Sequence, residues 1–160
     1  MWMPRRPLFA AMLLTSLAAA ACGGESGEPL LSGTLSGQFR GQSFTPTSGV
    51  ATVYQGRNMI ALGDGPINCA STQQNDPPMG TTATFEVPTL DLGTYSSLFV
   101  DLIRYSARNF DGVGSSDGTV TLTAVSATSV AGTIAYDYTD STDQQTYSLS
   151  GSFEVKRCPM

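Results

Sequence analysis

The 160-residue sequence has no histidine, a single lysine and eight basic residues against thirteen acidic ones, for a formal net charge of −5. Without histidine, the chain cannot build a Ser-His-Asp or Cys-His arrangement from its own residues. Sparse basic residues on an acidic chain cannot supply the cationic footprint that nucleic acid requires. The lysine, Lys156, is outside any S-x-x-K pattern, and no glycine-rich phosphate-binding pattern occurs. We therefore predict no enzyme, no nucleotide cofactor and no nucleic-acid partner.

Metal ligands are also scarce. The three cysteines form no C-x-x-C pair, so a thiolate site lacks its ligands. Residues 111–118 have the glycine and aspartate content of a calcium loop, but Val113 and Leu122 occupy positions at which such a loop needs oxygen ligands. We expect a Gly-Asp turn between strands there, and no metal or other cofactor.

The other acidic residues are interpreted as surface charges. Asp137, Asp140 and Asp143 follow one another closely, and a solvated acidic edge that discourages aggregation explains them better than a metal site does. Asp91 and Asp101 would serve a glycosidase only at a defined separation, which the sequence cannot fix. We predict no catalytic residues.

The first 22 residues have the features of an export signal. Arg5 and Arg6 precede an apolar run over residues 8–21, which ends in small residues before Cys22. A charged start, a short apolar stretch and small residues at the end are typical of a secretory signal. The run is too short to span a bilayer, which takes about 20 apolar residues. We predict that residues 1–21 are a signal peptide.

Residues 17–22, Leu-Ala-Ala-Ala-Ala-Cys, resemble the lipobox of bacterial lipoproteins. The match departs at Ala19, where the family usually has Leu, Val or Ile. The resemblance implies cleavage before Cys22, a lipid on Cys22 and attachment to the membrane of the cell envelope through that lipid. Gly23 in place of Asp favours the outer membrane, if the cell has one. The alternative is an ordinary signal followed by an incidental cysteine.

The number of cysteines, which is odd, agrees with that resemblance. If Cys22 carries a lipid, Cys69 and Cys158 remain as one pair in an oxidising compartment. We therefore predict a Cys69 to Cys158 disulfide. Such a bridge would place the loop that holds Cys69 beside the end of the last strand, and would make the strand near residue 58 and the strand near residue 147 end at the same pole.

The rest of the chain is predicted to comprise a tether and one domain. Residues 22–30 are rich in glycine and charge, which is typical of a flexible tether. Residues 31–160 show no amphipathic helix, but strand-type alternation recurs along them. We predict one all-β domain, an antiparallel β-sandwich or barrel of about eight strands.

Three strands carry the clearest alternation, at residues 119–124, 130–138 and 147–156. We expect Leu122, Ile134, Leu149 and Phe153 in the core and, on the same face of the first of these strands, Ala124. Turns are expected at residues 40–41, 56–58 and 126–128, and longer connections at residues 63–81, 109–118 and 139–144. Other strands are expected near residues 33–39, 44, 50–54, 58–62, 82–87 and 97–105.

Two functions remain open for such a domain. The first is a structural or protein-interaction module of the cell envelope. The second is a small-ligand or glycan binder, in which tyrosines would act as aromatic platforms on one exposed concave face. The tyrosines considered for that role are Tyr54, Tyr95, Tyr105, Tyr136 and Tyr138.

Overall fold

The computed structural model describes residues 31–70, 79–107 and 109–159. The predicted signal peptide, the tether over residues 22–30 and the lipidation site Cys22 lie outside the described residues. The described part of the chain is all-β, which confirms the predicted fold class. It contains ten strands, where about eight were predicted from the sequence.

The ten strands occupy the following segments: β1 Leu31–Gly33, β2 Ser36–Phe39, β3 Gln42–Phe44, β4 Ser48–Tyr54, β5 Arg57–Gly63, β6 Gly80–Val87, β7 Gly93–Tyr105, β8 Phe110–Val125, β9 Ser129–Thr139 and β10 Thr146–Arg157.

Strands β4 to β10 form a closed seven-stranded barrel. Consecutive strands pair antiparallel, as expected from their short connections. The barrel closes where the end of β10 pairs with β4 in parallel, Lys156 opposite Val50 and Arg157 opposite Ala51. Closure satisfies strand edges that would otherwise be open to other chains.

The first three strands are added to the barrel along β10. β1 and β2 follow each other antiparallel to β10 and together replace the single strand expected at residues 33–39. Arg40 and Gly41 form the predicted turn, with φ of 51° and 70°, and β3 then pairs back onto β2. Two positive φ angles are typical of the tight hairpin turn that matches strand twist.

Inward-facing side chains from all parts of the barrel fill its interior. The four core residues predicted from alternation, Leu122, Ile134, Leu149 and Phe153, are each at most 3% exposed. Phe153 meets Phe85 edge to face, with ring centroids 6.3 Å apart. The period-2 pattern of β9 and β10 therefore identified the core correctly.

Three local predictions need correction. Ala124 is exposed because the pairing of β8 with β9 shifts register between Leu122 and Ala124, and this bulge turns Val125 toward the core instead. The turn expected at residues 56–58 consists of Gln55 and Gly56. Residues 109–118 are not a loop, since β8 starts at Phe110.

A second, smaller apolar cluster lies against β4 and β5. Val50, Ala61, Ile67 and Cys158 are buried together, and Cys69 packs against them. Cys69 and Cys158 form the predicted disulfide, with Cα atoms 5.5 Å apart. The segment after β5 covers this cluster, and Ile67 N–H donates to Ser48 Oγ over 2.9 Å.

β5 and β10 end close together, as predicted from the disulfide, although the two strands run in opposite directions. β10 runs parallel to β4, and β4 runs antiparallel to β5, so β5 and β10 have opposite directions. Their ends meet because β10 reaches only the first residues of β4, where Ser48 also pairs with Gly63 at the end of β5. The stagger of the closed barrel, not a shared strand direction, brings the two cysteines together.

Candidate functional site

Strands β8 and β9 pair along only part of their lengths. Their pairing extends from Thr119 opposite Ala135 to Val125 opposite Val130. Residues 110–115 of β8 pair with β7 alone, Ser116 and Asp117 lie in the register shift before Gly118, and residues 136–139 of β9 pair with β10 alone. We call residues 110–117 the free edge of β8, because no strand of the described chain pairs with them on the side of β9.

A bend in β7 and β8 produces this separation. Their pairing shifts register on both sides of Leu98, and the neighbouring Ser97 has a φ of 56°. A Cβ on Gly118 would lie 2.5 Å from Val100 Cγ2 and 2.8 Å from the Leu98 carbonyl oxygen. Only glycine permits this close approach of the two strands. A bulge bends the strands that carry it, and we attribute the separation of β8 from β9 to this bend.

An ion pair joins the turn between β2 and β3 to the free edge. Arg40 Nε lies 3.0 Å from Asp111 Oδ2, and Arg40 Nη2 lies 3.0 Å from Asp111 Oδ1, so the ion pair is bidentate. Burial raises the pKa of the neighbouring Tyr147 phenol, while the positive charge of Arg40 opposes that rise, so the phenol is neutral at ordinary pH.

A second arginine ties the same hairpin to β6 and β7. Arg104 Nε donates to Thr81 Oγ1 over 2.9 Å, and its Nη1 donates to Gln42 Oε1 over 2.7 Å. The guanidinium carbon lies 4.6 Å from the centroid of the Phe39 ring. Arg40 and Arg104 therefore hold the β2–β3 hairpin across the end of the barrel at which β8 and β9 separate.

Side chains replace backbone pairing between the free edge and β9. Ser115 Oγ donates to Tyr136 Oη over 3.3 Å. Burial raises the pKa of Tyr136, so this phenol is also neutral at ordinary pH. The contact leaves the backbone groups of the free edge without a ladder partner on that side.

Large apolar side chains lie exposed on the outer face of β7 and β8. Phe99 is 53% and Phe110 is 74% exposed. The Tyr105 and Phe110 rings have centroids 6.4 Å apart, and Ile103, two residues before Tyr105 on the same face of β7, is half-buried. We call Phe99, Ile103, Tyr105 and Phe110 the outer strip.

A carboxylate lies within the outer strip, next to the free edge. A Cβ on Gly114 would lie 2.5 Å from Phe99 Cζ and 2.6 Å from Asp101 Oδ1, so both side chains reach over this glycine. Partial burial raises the pKa of the Asp101 carboxyl. Neither of the ion pairs found within the described residues, Arg40 with Asp111 and Arg57 with Glu86, involves Asp101.

The segment expected to form a Gly-Asp turn is the free edge itself. Asp111, Val113 and Ser115 face inward there, and Gly112 and Gly114 face outward, so the residues alternate as in any strand. The prediction of a turn is wrong because the extended β7 pairs with residues 110–115 of this glycine-rich segment. Tertiary pairing overrode a weak local propensity.

The acidic run after β9 forms turns. Asp140 Oδ1 accepts from Thr142 N–H over 2.7 Å, and Asp143 Oδ1 accepts from Gln145 N–H over 3.0 Å. These contacts are typical of aspartates that initiate turns. Within residues 31–70, 79–107 and 109–159, no three acidic, cysteine or histidine side chains come together as metal ligands.

The five tyrosines considered for ligand binding do not share one exposed face. Tyr54 ends β4 on the outside, and Tyr105 lies in the outer strip. Tyr95 Oη donates to the Asp91 carbonyl over 2.9 Å, and Tyr136 is buried. Tyr138 is half-buried, with its ring centroid 6.2 Å from that of Tyr147. A glycan platform built from these rings therefore stays a prediction without geometric support.

Comparison with protein-family models, with curated proteins and with solved structures found no match to this chain. No helix in the described part of the chain is long and apolar enough to cross a membrane.

Proposed function

We propose that this protein is a cell-envelope lipoprotein whose β domain is a non-enzymatic protein-interaction module. The observation that carries the proposal is the outer strip, in which Phe99 and Phe110 are more than half exposed on one face. Exposed apolar groups clustered beside polar neighbours are typical of interaction sites. The free edge of β8 borders the same face, and an unpaired strand edge is a second common means of protein recognition.

The proposed membrane anchor has support from the cysteines. Cys69 and Cys158 are joined in a disulfide, a bond that is typical of proteins exported to an oxidising compartment. Their pairing accounts for two of the three cysteines and leaves Cys22, at the end of the lipobox-like segment. A lipid at Cys22, followed by the proposed tether, would attach the β domain to a membrane and leave its outer strip accessible to a partner.

The interaction role predicts a loss of contacts when the outer strip becomes polar. We expect crosslinking of intact cells to join the wild-type protein to a partner, and the double variant Phe99→Ser, Phe110→Ser to lose that product. Leu92→Ser is the matched control, because Leu92 is 67% exposed in the connection between β6 and β7, away from the strip. Equal crosslinking of all three proteins would contradict the role of the outer strip.

The anchor predicts a different distribution for Cys22→Ser. We expect the wild-type protein in the membrane fraction with a lipid on its first residue, and the variant as an uncleaved or soluble form. Fractionation followed by mass spectrometry measures both properties. A mature wild-type protein with an unmodified Cys22 would rule out the anchor while leaving the interaction module open.

A further inference from the structure

We propose that the free edge of β8 binds an extended, basic segment of a partner protein as an added strand, with a lysine or arginine of that segment on Asp101. This inference rests on the proposed interaction function and names the chemistry of the partner. It joins three features of the described residues: an unpaired strand edge, a carboxylate beside that edge without an ion pair, and an excess of negative charge around both.

The strand edge supplies the backbone part of the recognition. In an antiparallel ladder every second residue directs its N–H and C=O to the same side, so half of residues 110–115, which pair with β7, present these groups away from β7. Within the described chain β9 pairs with β8 only from Thr119 onward. Strand addition to such an edge supplies affinity through backbone hydrogen bonds and specificity through alternate side chains.

The small residues of the edge provide space for an incoming side chain. Gly112 and Gly114 are the outward-facing residues at these positions of β8, and neither has a side chain that would block access across the outer face of β8 to β7. A side chain that extends outward from a strand beside Gly114 can therefore reach across β8 toward Asp101. A lysine or arginine is long enough for this, and its aliphatic part would lie along the Phe99 ring.

Asp101 is suited to receive that cation. Its carboxylate reaches over Gly114 next to the Phe99 ring and forms neither of the two ion pairs found in the described residues. Partial burial raises the pKa of its carboxyl, which means that the ionised form is incompletely solvated. A basic side chain from a partner would supply the missing counter-charge.

The surrounding charge favours a basic segment over a second copy of this chain. Asp117 is exposed at one end of the free edge, and Asp137 is exposed on β9 across the separation. A second copy would bring another edge of residues 110–117, which contains no basic side chain and so could not supply a counter-charge to Asp101. A basic strand would supply one.

The direct test uses synthetic peptides and the intact chain purified in detergent. A seven-residue peptide that alternates valine and lysine is compared with versions carrying glutamate or threonine in place of lysine, by fluorescence anisotropy at several salt concentrations. We expect the lysine peptide to bind most tightly and to weaken as salt rises, because screening reduces the attraction. Equal affinity for the lysine and glutamate peptides would overturn the proposal.

Two variants locate the bound peptide. Asp101→Asn should weaken lysine-peptide binding about fivefold, the scale of one incompletely solvated ion pair, and should leave threonine-peptide binding unchanged. Asp91→Asn, an exposed aspartate in the connection between β6 and β7, is the charge-matched control and should change neither. Equal losses in both variants would mean that the peptide responds only to net charge.

Amide hydrogen exchange separates strand addition from contact with the outer strip alone. Saturation with the lysine peptide should slow exchange at alternate residues within 110–117, and binding to the strip alone should leave these amides unchanged.

The outcomes separate the two proposals. If the Phe99→Ser, Phe110→Ser variant loses its crosslinked partner but no peptide slows these amides, the interaction function stands and strand addition is wrong. If the crosslinked product also survives in that variant, the proposed function fails as well. A concentration-dependent dimer that protects the same amides without peptide would show that a second copy occupies the edge.

Discussion

At the residue scale, Asp101 is the side chain that packing least explains. The other acidic side chains near the free edge have an ionic partner or are exposed: Asp111 pairs with Arg40, and Asp117 is exposed. Asp101 is instead partly buried beside Phe99 in the absence of an ion pair within the described residues. Its ionisation therefore opposes folding, and carboxyls with a pKa shifted in this way are common at functional sites.

This leads to a pH-dependent prediction for Asp101→Asn. Because burial raises the pKa of Asp101 in the folded state, the folded protein holds that proton more tightly than the unfolded chain does. The contribution of Asp101 to the free energy of unfolding is therefore greatest below its unfolded pKa and falls as pH rises through the raised folded pKa. We expect the variant to have a higher free energy of unfolding than wild type at pH 7. The difference between the two free energies should become smaller at more acidic pH.

Urea denaturation at several pH values measures this difference. Asp91→Asn is again the control, since it removes the same charge at an exposed position, and the effect of Asp101→Asn is measured relative to this control at each pH. A variant Asp101→Asn that is less stable than wild type at pH 7 would show that Asp101 has a stabilising partner, and would weaken the proposed cation site.

At the element scale, alternation identified strands whose two faces differ in polarity. In β10 the buried Tyr147, Leu149, Phe153 and Val155 alternate with polar residues, so the sequence alone specified both strand and core. The free edge of β8 has the same alternation, but its outward residues include Gly112 and Gly114 and its inward residues include Asp111. Glycine and aspartate favour turns locally, and only the pairing with β7 makes this segment a strand.

The candidate site was less accessible to sequence analysis than the core. Phe99 is apolar and belongs to a strand predicted from its apolar residues, and nothing in its immediate sequence separates an exposed phenylalanine from a buried one. The bulges next to Leu98 decide which residues of β7 face outward. Arg40 and Arg104 meet their partners Asp111 and Gln42 only in the folded barrel, because these pairs are far apart along the chain.

The bend of β7 and β8 can be tested at Gly118. A Cβ at this position would contact Val100 Cγ2 and the Leu98 carbonyl oxygen, and neither can move without displacing buried structure. We expect Gly118→Ala to lower the free energy of unfolding by about 1 to 3 kcal/mol, the usual range for overpacking. Chemical denaturation measures the change.

Gly114→Ala is the matched control for the bend. Its added Cβ would meet the outer ends of Phe99 and Asp101, which are side chains near solvent that can rotate away. We expect a smaller loss of stability from Gly114→Ala than from Gly118→Ala. If Gly118→Ala were as stable as wild type, the close approach of β7 and β8 would not depend on glycine, and the origin assigned to the free edge would be wrong.

At the scale of the whole molecule, two seams of the barrel have shortened backbone pairing. Where β10 meets β4, the pairing is parallel and involves two residues on each strand. Between β8 and β9, backbone pairing covers residues 119–125 of β8, and beyond it Ser115 hydrogen-bonds Tyr136 of β9. The disulfide lies beside the first seam, since Cys158 follows directly after β10 and its N–H donates to the Ala51 carbonyl over 2.8 Å.

The disulfide should therefore stabilise the closure of the barrel as well as shorten the unfolded chain. Cys69 and Cys158 are 89 residues apart in sequence, and a loop of that size corresponds to about 4 to 5 kcal/mol in the chain-entropy model. We expect the double variant Cys69→Ser, Cys158→Ser to have a free energy of unfolding lower by about 4 to 5 kcal/mol. We also expect it to expose the cluster of Val50, Ala61 and Ile67. Cys22→Ser, which leaves the bridge intact, is the control and should unfold at the same denaturant concentration as wild type.

The Ile67 amide, which donates to Ser48 Oγ, reports the local effect of the bridge. Its hydrogen exchange should accelerate in the double variant under conditions in which the Leu149 amide of β10 is still protected. Equal acceleration at both amides would show that the bridge acts only through global stability, whereas selective acceleration at Ile67 would show that it also fastens the segment after β5 to the end of β10.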